Sequence, residues 1–237
     1  MTPARGVRER ARHETIAAIK REARHQLALE GAAKLSLRAV ARELGLVSSA
    51  LYRYFPSRDE LLTALIVDAY DAVGEVAEAR LAATEGEHVS ARWLAVARGV
   101  RHWAAAHPHE YALLYGTPVP GYRAPQETTR AASRIPLALL AVVTEAHTAG
   151  VLRLPGPVSP AAAREGEAVA ARLGLDLPGD AMARAAQAWG QLFGLLSFEL
   201  FGQYTGSFER SDAFFDDAAA ELGRLVGLPA PEGEGPR

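Results

Sequence analysis

The residues best suited to chemistry in this sequence lie close together, in a short polar stretch that contains Ser48, Ser49, Tyr52 and Arg53. Serine, tyrosine and arginine side chains bond phosphate oxygens, and arginine also reads the edge of guanine. We expect these side chains to face outward, because the apolar residues around them are spaced to form a core. Those core residues are Leu37, Val40, Ala41, Leu44, Leu46, Ala50, Leu51 and Phe55. An outward tyrosine–arginine pair on so short a segment suits contact with DNA.

Catalytic and metal-binding patterns are not found in the sequence. There is no P-loop, no Gly-x-Ser-x-Gly and no His-Glu-x-x-His. The sequence has no cysteine, which excludes disulfides, thiolate metal sites and cysteine nucleophiles. The group His102, His107, His109 and Glu110 contains metal-ligand types, but its place beside Pro108 at a helix start favours loop and capping roles. We therefore expect no enzyme activity, no metal site and no cofactor.

Charge is distributed unevenly along the chain. Residues 1–60 carry 12 Lys and Arg against 7 Asp and Glu, a net charge of +5, whereas the remaining residues carry 14 against 21, a net charge of −7. A basic N-terminal part on an acidic body predicts a polyanionic partner for that part only.

The sequence contains no candidate membrane segment. Its first 24 residues are Arg-rich without an apolar core run, and the most apolar stretch, Trp189 to Phe201, is interrupted by polar residues and too short to span a bilayer. We expect a cytoplasmic protein without a membrane partner, in agreement with the lack of cysteine.

The apolar spacing predicts helices along the whole chain, and Ala and Leu favour them. Two of these helices are very short: one opens at Ser36 and ends at Gly45, and the next ends before Phe55-Pro56. Short helices are marginal alone, and a helix-turn-helix supported by longer neighbours is a common solution. We predict an all-α protein with four parts. These are a flexible basic arm over residues 1–12, a helix-turn-helix domain over 13–71, a helical C-terminal domain over 72–228 and a disordered tail over 229–237.

The run LSLRAVARELGLVSSALYRYFPSRDELL, residues 35–62, resembles the DNA-binding domain of the tetracycline-repressor (TetR) family. Six features match the family pattern in combination: Ser36, Leu51-Tyr52, Phe55, Ser57, Arg58 and Leu61-Leu62. The resemblance covers roughly residues 10–70 and implies binding to double-stranded DNA as a homodimer on an inverted repeat.

The resemblance also implies roles for single residues. Ser36, Tyr52, Tyr54 and Arg58 correspond to positions that contact the DNA backbone. Ser48, Ser49 and Arg53 correspond to positions that vary with the operator sequence, and we add Arg38 and Val47 to the candidate DNA contacts. Val47 stands where many members have a capping Ser or Thr, which leaves two alternatives: Ser48 caps the helix one residue later, or Val47 meets a thymine methyl group.

The region Arg101–Tyr122 resembles a TetR subgroup whose C-terminal region is called the WHG domain, and this implies a ligand-responsive helical domain. Ligand sites in such domains are mostly apolar. The candidate ligand-binding residues are Trp93, Trp103, Tyr111, Tyr115, Tyr122, Phe193 and Phe198. Each of them could instead belong to the core. The expected effector is a small apolar or aromatic molecule of unknown identity.

The last two predicted helices resemble the pair that forms a four-helix bundle between two TetR subunits. The candidate dimer residues are Gly190, Leu192, Gly194, Leu196, Phe214, Ala218 and Leu222. Packing within one subunit would explain the same glycines.

The hypothesis that joins these features is a repressor released from its operator by a ligand. In each subunit the second short helix would contact the DNA. A ligand that prefers a state in which the two copies of this helix lie farther apart would weaken DNA binding, and DNA would weaken ligand binding to the same degree. The alternatives are a DNA-binding regulator or architectural protein without a ligand, a helical enzyme, and a helical interaction module.

Overall fold

The computed structural model describes residues 3–208 and 212–230, and these residues form helices and their connections, without a β-strand. The prediction of an all-α protein is confirmed. A short 3-10 helix, η1 (Ala32–Lys34), follows the first helix. The α-helices of the described residues are α1 (Pro3–Glu30), α2 (Leu37–Glu43), α3 (Ser48–Tyr52), α4 (Arg58–Ala83), α5 (Val89–Ala106), α6 (Pro108–Tyr115), α7 (Glu127–Ala132), α8 (Arg134–Thr148), α9 (Pro160–Leu173), α10 (Gly179–Leu200) and α11 (Asp212–Leu225).

The chain forms two compact units that are not two continuous stretches of sequence. The N-terminal unit contains Met1–Tyr70 and His107–Ala131, and the C-terminal unit contains Asp71–Ala106 and Ala132–Arg237. We predicted a single C-terminal domain over residues 72–228. The structure differs because apolar side chains of the 107–131 segment pack against the core of the N-terminal unit.

Helix α1 extends into the segment that we predicted as a basic arm. We expected residues 1–12 to be flexible, but α1 begins at Pro3. A proline suits a first helical turn because its fixed φ is already helical and its missing N–H has no partner there. The expected tail falls mostly on residues 231–237, which lie outside the described residues.

The helix-turn-helix forms where the sequence places its stop and start residues. The Ser36 side chain caps α2 by accepting a hydrogen bond from the Ala39 N–H at 3.4 Å. Gly45 has a φ of +64°, a conformation that favours glycine, and it makes the turn between α2 and α3. The Ser57 hydroxyl accepts from the Glu60 N–H at 3.1 Å and so caps the start of α4.

One apolar core holds the two short helices. It joins α1 to α4 through side chains that are almost fully buried, and Leu51 is the member that anchors α3. The core residues are Ile19, Ala23, Leu27, Leu35, Leu37, Val40, Ala41, Leu51, Phe55, Leu61, Leu62, Leu65 and Ile66. A helix of five residues is not stable alone, so α3 depends on this packing.

Between residues 126 and 149 the chain forms two helices. The interruption lies at Ser133, between α7 and α8, and Pro136 lies in the first turn of α8. A proline in a helix clashes with the carbonyl four residues earlier, here Ala132, so a continuous helix through this region is disfavoured.

The C-terminal unit is a helical assembly in which α5 packs against α8, α10 and α11. The buried Trp93 of α5 donates a hydrogen bond from Nε1 to the Ala219 carbonyl of α11 at 2.9 Å. Gly166 of α9 and Gly179 of α10 lie so close that an added Cβ on Gly166 would overlap the Gly179 carbonyl. Small residues therefore set the spacing between α9 and α10.

Candidate nucleic-acid interface

The outer face of α3 is polar and accessible. Ser48, Ser49, Tyr52 and Arg53 are all exposed, as predicted, while Leu51 between them is fully buried. This arrangement presents a hydroxyl pair, a phenol and a guanidinium to solvent, while Leu51 attaches the short helix to the core. Such a helix has the size and the chemistry to enter a major groove.

The cap of α3 decides between the two alternatives for Val47. Val47 is itself the N-cap residue, with an extended backbone and no side-chain cap, and Ser48 is the first residue of the helix. Capping by Ser48 is therefore wrong. The Val47 side chain is 69% exposed, which leaves it available for an apolar contact.

Five polar residues of the N-terminal unit line one open depression of about 450 Å³. Ser36 and Arg38 come from the start of α2, Tyr52 from α3, and Ser57 and Arg58 from the start of α4. Residues that are up to 22 positions apart in sequence thus share one surface. Hydroxyls, a phenol and a guanidinium that converge beside two helix starts form a suitable environment for a phosphate group.

Arg58 does not behave as a free phosphate ligand. Its Nη2 donates to the carbonyls of Ala32 at 2.8 Å and Ala33 at 3.1 Å, and its Nε donates to the Leu35 carbonyl at 3.1 Å. These bonds hold η1 and the start of α2 against α4. We therefore expect Arg58 to position the start of α2 rather than to contact phosphate itself, because the main chain already occupies most of the guanidinium donors.

Tyr54 is half-buried against the core of the N-terminal unit, and the Arg12 guanidinium lies 5.2 Å from the centre of its ring. This is a cation–π contact between α1 and the residue that follows α3. Tyr54 is therefore less accessible than a typical backbone-contacting side chain. The Arg12 contact could not be predicted from the sequence, since nothing in local spacing relates positions 12 and 54.

Two cations at this surface have no ion-pair partner among the described residues. Arg38 of α2 and Arg53 after α3 are exposed, and no carboxylate of the described residues lies within salt-bridge distance of either. Arg42 and Arg58, in contrast, lie near the neighbouring carboxylates of Glu43 and Asp59. Unpaired cations are the groups that gain most from a polyanion.

Three of the predicted ligand-binding residues belong to the N-terminal unit. The Tyr122 hydroxyl lies 2.8 Å from the Thr63 hydroxyl of α4, and the rings of Tyr111 and Tyr115 are 5.1 Å apart. The Tyr115 ring also meets the Tyr70 ring edge-on at 6.0 Å. Burial raises the pKa of Tyr115 and of Tyr70 above the usual tyrosine value, so both phenols stay neutral. These residues attach the 107–131 segment to the helix-turn-helix.

The other predicted ligand-binding residues are in the C-terminal unit, so the seven do not form a single pocket within either unit. Trp93, Trp103 and Phe193 are buried in its core, and Trp93 is only 2% exposed. Phe198 is 53% exposed on α10 and lies 5.7 Å from the Tyr204 ring. Trp93 also borders a groove of about 350 Å³ between α5 and α11.

The predicted dimer residues divide between two faces of their helices. Gly190 and Gly194 face open space, since an added Cβ would meet nothing within 4 Å. Leu192 and Leu196 are fully buried inside the subunit, which corrects their assignment to an interface. Leu222 is also buried, whereas Phe214 and Ala218 are half-buried on α11. The outward face of α10 carries Gly190, Gly194 and Phe198, and the exposed Phe201 follows the helix.

No group of three or more metal-ligating side chains occurs in residues 3–208 and 212–230, and the histidines near α6 do not converge there. No helix in the described part of the chain has the length and hydropathy needed to cross a bilayer.

Two family models match the chain. The model described as "Bacterial regulatory proteins, tetR family" matches residues 19–65, and the model described as "Tetracyclin repressor-like, C-terminal domain" matches residues 93–222. The first match spans the helix-turn-helix, and the second spans most of the C-terminal unit together with the 107–131 segment. The second description names no subgroup, so the WHG resemblance stays a prediction.

Related proteins agree with these matches. The HTH-type transcriptional regulator Rv1816 of Mycobacterium tuberculosis is 39% identical over 221 residues, which cover 92% of this chain and 94% of that protein. The solved regulatory protein SCO4313 is 37% identical with a TM-score of 0.71, covering 90% of this chain and 97% of its own. RolR, solved in complex with resorcinol, shares the fold at 15% identity and a TM-score of 0.52, covering 94% of this chain and 98% of its own.

The family models and the relatives agree with the helix-turn-helix and with the exposed polar face of α3. The chain belongs to the TetR family of DNA-binding transcriptional regulators.

Proposed function

We propose that this protein is a homodimeric repressor that binds an inverted-repeat operator and is released from it by a small molecule. The observation that carries the proposal is the shared depression of Ser36, Arg38, Tyr52 and Ser57 beside the exposed face of α3. The depression would bind a phosphate of the DNA backbone. Ser49 on α3 and Arg53 just after it would contact the bases.

A two-fold dimer is required for this reading of DNA, because one five-residue helix contacts too few base pairs. The outward face of α10, with Gly190 and Gly194, supports a close approach by the same helix of a second copy. Two exposed aromatic side chains, Phe198 on the same helix and Phe201 just after it, add apolar area that a partner would cover. Two recognition helices in such a dimer would lie about 34–36 Å apart, one turn of DNA.

Release by a ligand needs a connection between the two units, and α4 supplies it. Its first turn borders the DNA-facing depression, and its later turns belong to the C-terminal unit. There Arg134 of α8 donates to Asp71 at 2.9 Å and to Glu78 at 2.6 and 2.8 Å. A ligand that moves α8 would pull on α4 through these bonds. RolR, which has the same fold, binds resorcinol, and this supports a small aromatic effector.

The test selects genomic DNA fragments that bind the purified protein, across a series of salt concentrations. We expect recovery of one short inverted repeat, with an affinity that falls steeply as salt rises. Recovery of no specific fragment, even at low salt, would contradict the proposal, provided that the protein carries no co-purified ligand. Addition of candidate aromatic compounds to the recovered operator complex then tests release.

A DNA-binding regulator without a ligand is the second candidate, and one observation favours it. Trp93, Trp103 and Phe193 are buried in the core, where the Trp93 N–H bonds a carbonyl of the protein itself. Thermal denaturation of the protein with a panel of aromatic compounds separates the two candidates. A ligand-released repressor gains stability with its effector, whereas the second candidate gains none with any compound.

A further inference from the structure

The N-terminal unit contains a groove of about 490 Å³ that the DNA-binding surface does not use. One wall is the end of α1 with η1, including Ala28, Ala32 and Ala33. The other wall is α6 with the loop that follows it, including Ala112 and residues 117–120. Its volume lies in the range of small-molecule sites, which is about 300–1,000 Å³.

The lining defines the chemistry of an occupant. Leucine, alanine, valine, proline and glycine form most of it, and His109 and Thr117 are the only residues with polar side chains among the described lining. Among the described residues no lysine, arginine, aspartate or glutamate lines the groove, so nothing there would balance the charge of a nucleic acid or a charged ligand. Pro118 and Pro120 stiffen one wall, which reduces the entropy lost on binding. A neutral, mostly apolar molecule with one hydroxyl or amide fits this lining.

The groove wall is directly connected to the DNA-binding surface. Ala32 and Ala33 line the groove, and their carbonyls accept the two hydrogen bonds from Arg58 Nη2. Arg58 Nε holds the Leu35 carbonyl next to Ser36, which begins α2. A molecule that displaces η1 would therefore shift the start of α2 and the depression that Ser36 and Tyr52 share.

We propose that this groove binds a small neutral, mostly apolar molecule with one hydroxyl or amide, and that its occupancy lowers DNA affinity by displacing η1 from Arg58. The binding site lies in the N-terminal unit and is separate from any ligand cavity of the C-terminal unit. The regulatory half of this inference rests on the DNA-binding function proposed above, whereas the binding half does not.

The experiment uses full-length protein and three probes: indole, 2-naphthol and benzamide. Amide chemical shifts should move on titration at Gly31, Ala32, Ala33 and Ala112, and the affinity for the selected operator should fall at least tenfold at saturation. Ala28→Phe fills the groove from α1, and we expect it to abolish both effects. Ala161→Phe, on the exposed face of α9, is the matched control and should leave both effects intact.

Three results would overturn the inference. The first is the absence of shifts at the groove with all three probes, and the second is shifts there without any change in operator affinity. The third is a change in the oligomeric state of Ala28→Phe on sedimentation, which would mean that a second copy covers the groove. Failure of the proposed function is distinguishable, because the chemical-shift titration needs no DNA and the protein without probe would then bind no operator.

Discussion

In the N-terminal unit, Arg38 and Arg53 extend from the protein without a carboxylate partner among the described residues, whereas in the C-terminal unit Arg101 and Arg134 are held by carboxylates. Arg101 is buried, and carboxylates and an aromatic ring surround its guanidinium. It makes two hydrogen bonds of 2.9 Å with Glu199 and one of 2.7 Å with Asp212, and it lies 4.8 Å from the centre of the Phe215 ring.

The difference shows how one residue type serves two purposes. A guanidinium that is bonded within the protein joins helices: Arg101 joins α5 to α10 and to the start of α11, and Arg92 joins α5 to Glu145 of α8. A guanidinium left unpaired keeps its charge available for another molecule. The C-terminal unit is therefore built to hold its helices, and the N-terminal unit is built to meet a polyanion.

Among the proposed substitutions, we expect the largest effect from replacing Arg101, which tests whether arginines of the C-terminal unit hold its helices together. We expect Arg101→Met to lower the free energy of unfolding by about 3–5 kcal/mol, because the buried Glu199 carboxylate loses its bidentate partner. Denaturant unfolding measures the loss. Arg224→Met removes an exposed pair with Glu221 and is the control, with an expected loss of about 0.2–1 kcal/mol. Equal losses in the two variants would contradict the assigned role.

Arg58 belongs to the DNA-binding unit but acts like the arginines of the other unit. We expect Arg58→Met to lower the free energy of unfolding by about 1.5–3 kcal/mol, through loss of its bonds to three carbonyls. Operator affinity should fall while its slope against salt stays unchanged, since no phosphate contact is lost.

Arg38→Met is the matched control for Arg58. It should leave stability unchanged and reduce the salt slope of operator binding by about 1, as expected for a lost phosphate contact. The comparison is measured by fluorescence anisotropy across a salt series. A reduced slope for Arg58→Met would restore its direct role at the DNA backbone.

Base reading is expected from Arg53. Its replacement by alanine should cost about 1–3 kcal/mol of operator binding and relax the preference at one base pair. The free energy of unfolding should change by less than about 0.5 kcal/mol, because the side chain is exposed and unpaired among the described residues. Binding to a set of operators with single base changes checks this. A uniform loss across all of them would instead mark Arg53 as a phosphate contact.

The glycines of α10 and α9 allow the dimer to be tested separately from the fold. Gly194→Leu should leave the subunit folded, since its Cβ meets nothing within 4 Å, but it should weaken the dimer by about 1–3 kcal/mol through overpacking. Sedimentation at several concentrations measures this. Gly166→Leu is the contrasting change, because its side chain would overlap the Gly179 carbonyl and destabilise the subunit itself. An unchanged dimer in Gly194→Leu would place the interface elsewhere.

The smallest expected effect concerns the bond that attaches the 107–131 segment to α4. Tyr122→Phe removes the 2.8 Å hydrogen bond to the buried Thr63 hydroxyl, and we expect a loss of about 0.5–1.5 kcal/mol in unfolding free energy. Hydrogen exchange at Leu113 and Leu114 should become faster in the same variant, because the segment opens more often. Unchanged protection would mean that apolar packing alone holds it.

The parts of the fold that could be predicted from the sequence are those fixed by interactions between residues close to one another in the chain. Ser36 and Ser57 cap helices through hydrogen bonds to residues three positions away, and Gly45 turns the chain by its own backbone conformation. These short-range causes are visible as residue types at fixed spacing. They placed α2, α3 and α4 correctly within a few residues.

The parts that could not be predicted have causes distant in sequence. Arg58 bonds carbonyls that are 23 to 26 positions away, and Trp93 bonds one that is 126 positions away. Helix α10 also has apolar residues on both of its faces, so spacing alone could not tell that Leu192 points inward and Phe198 outward. Such choices depend on which neighbouring element covers each face.

The return of residues 107–131 to the N-terminal unit has a consequence for recombination between genes. One such hybrid would join residues 1–70 to the C-terminal domain of another regulator. Its N-terminal unit would then lack the side chains of Leu113, Leu114 and Tyr122. Apolar surface that is covered in the present protein would then meet water. Domain exchange in this architecture therefore requires that two separate stretches of sequence are transferred together. A single crossover near residue 70 would produce a destabilised N-terminal unit.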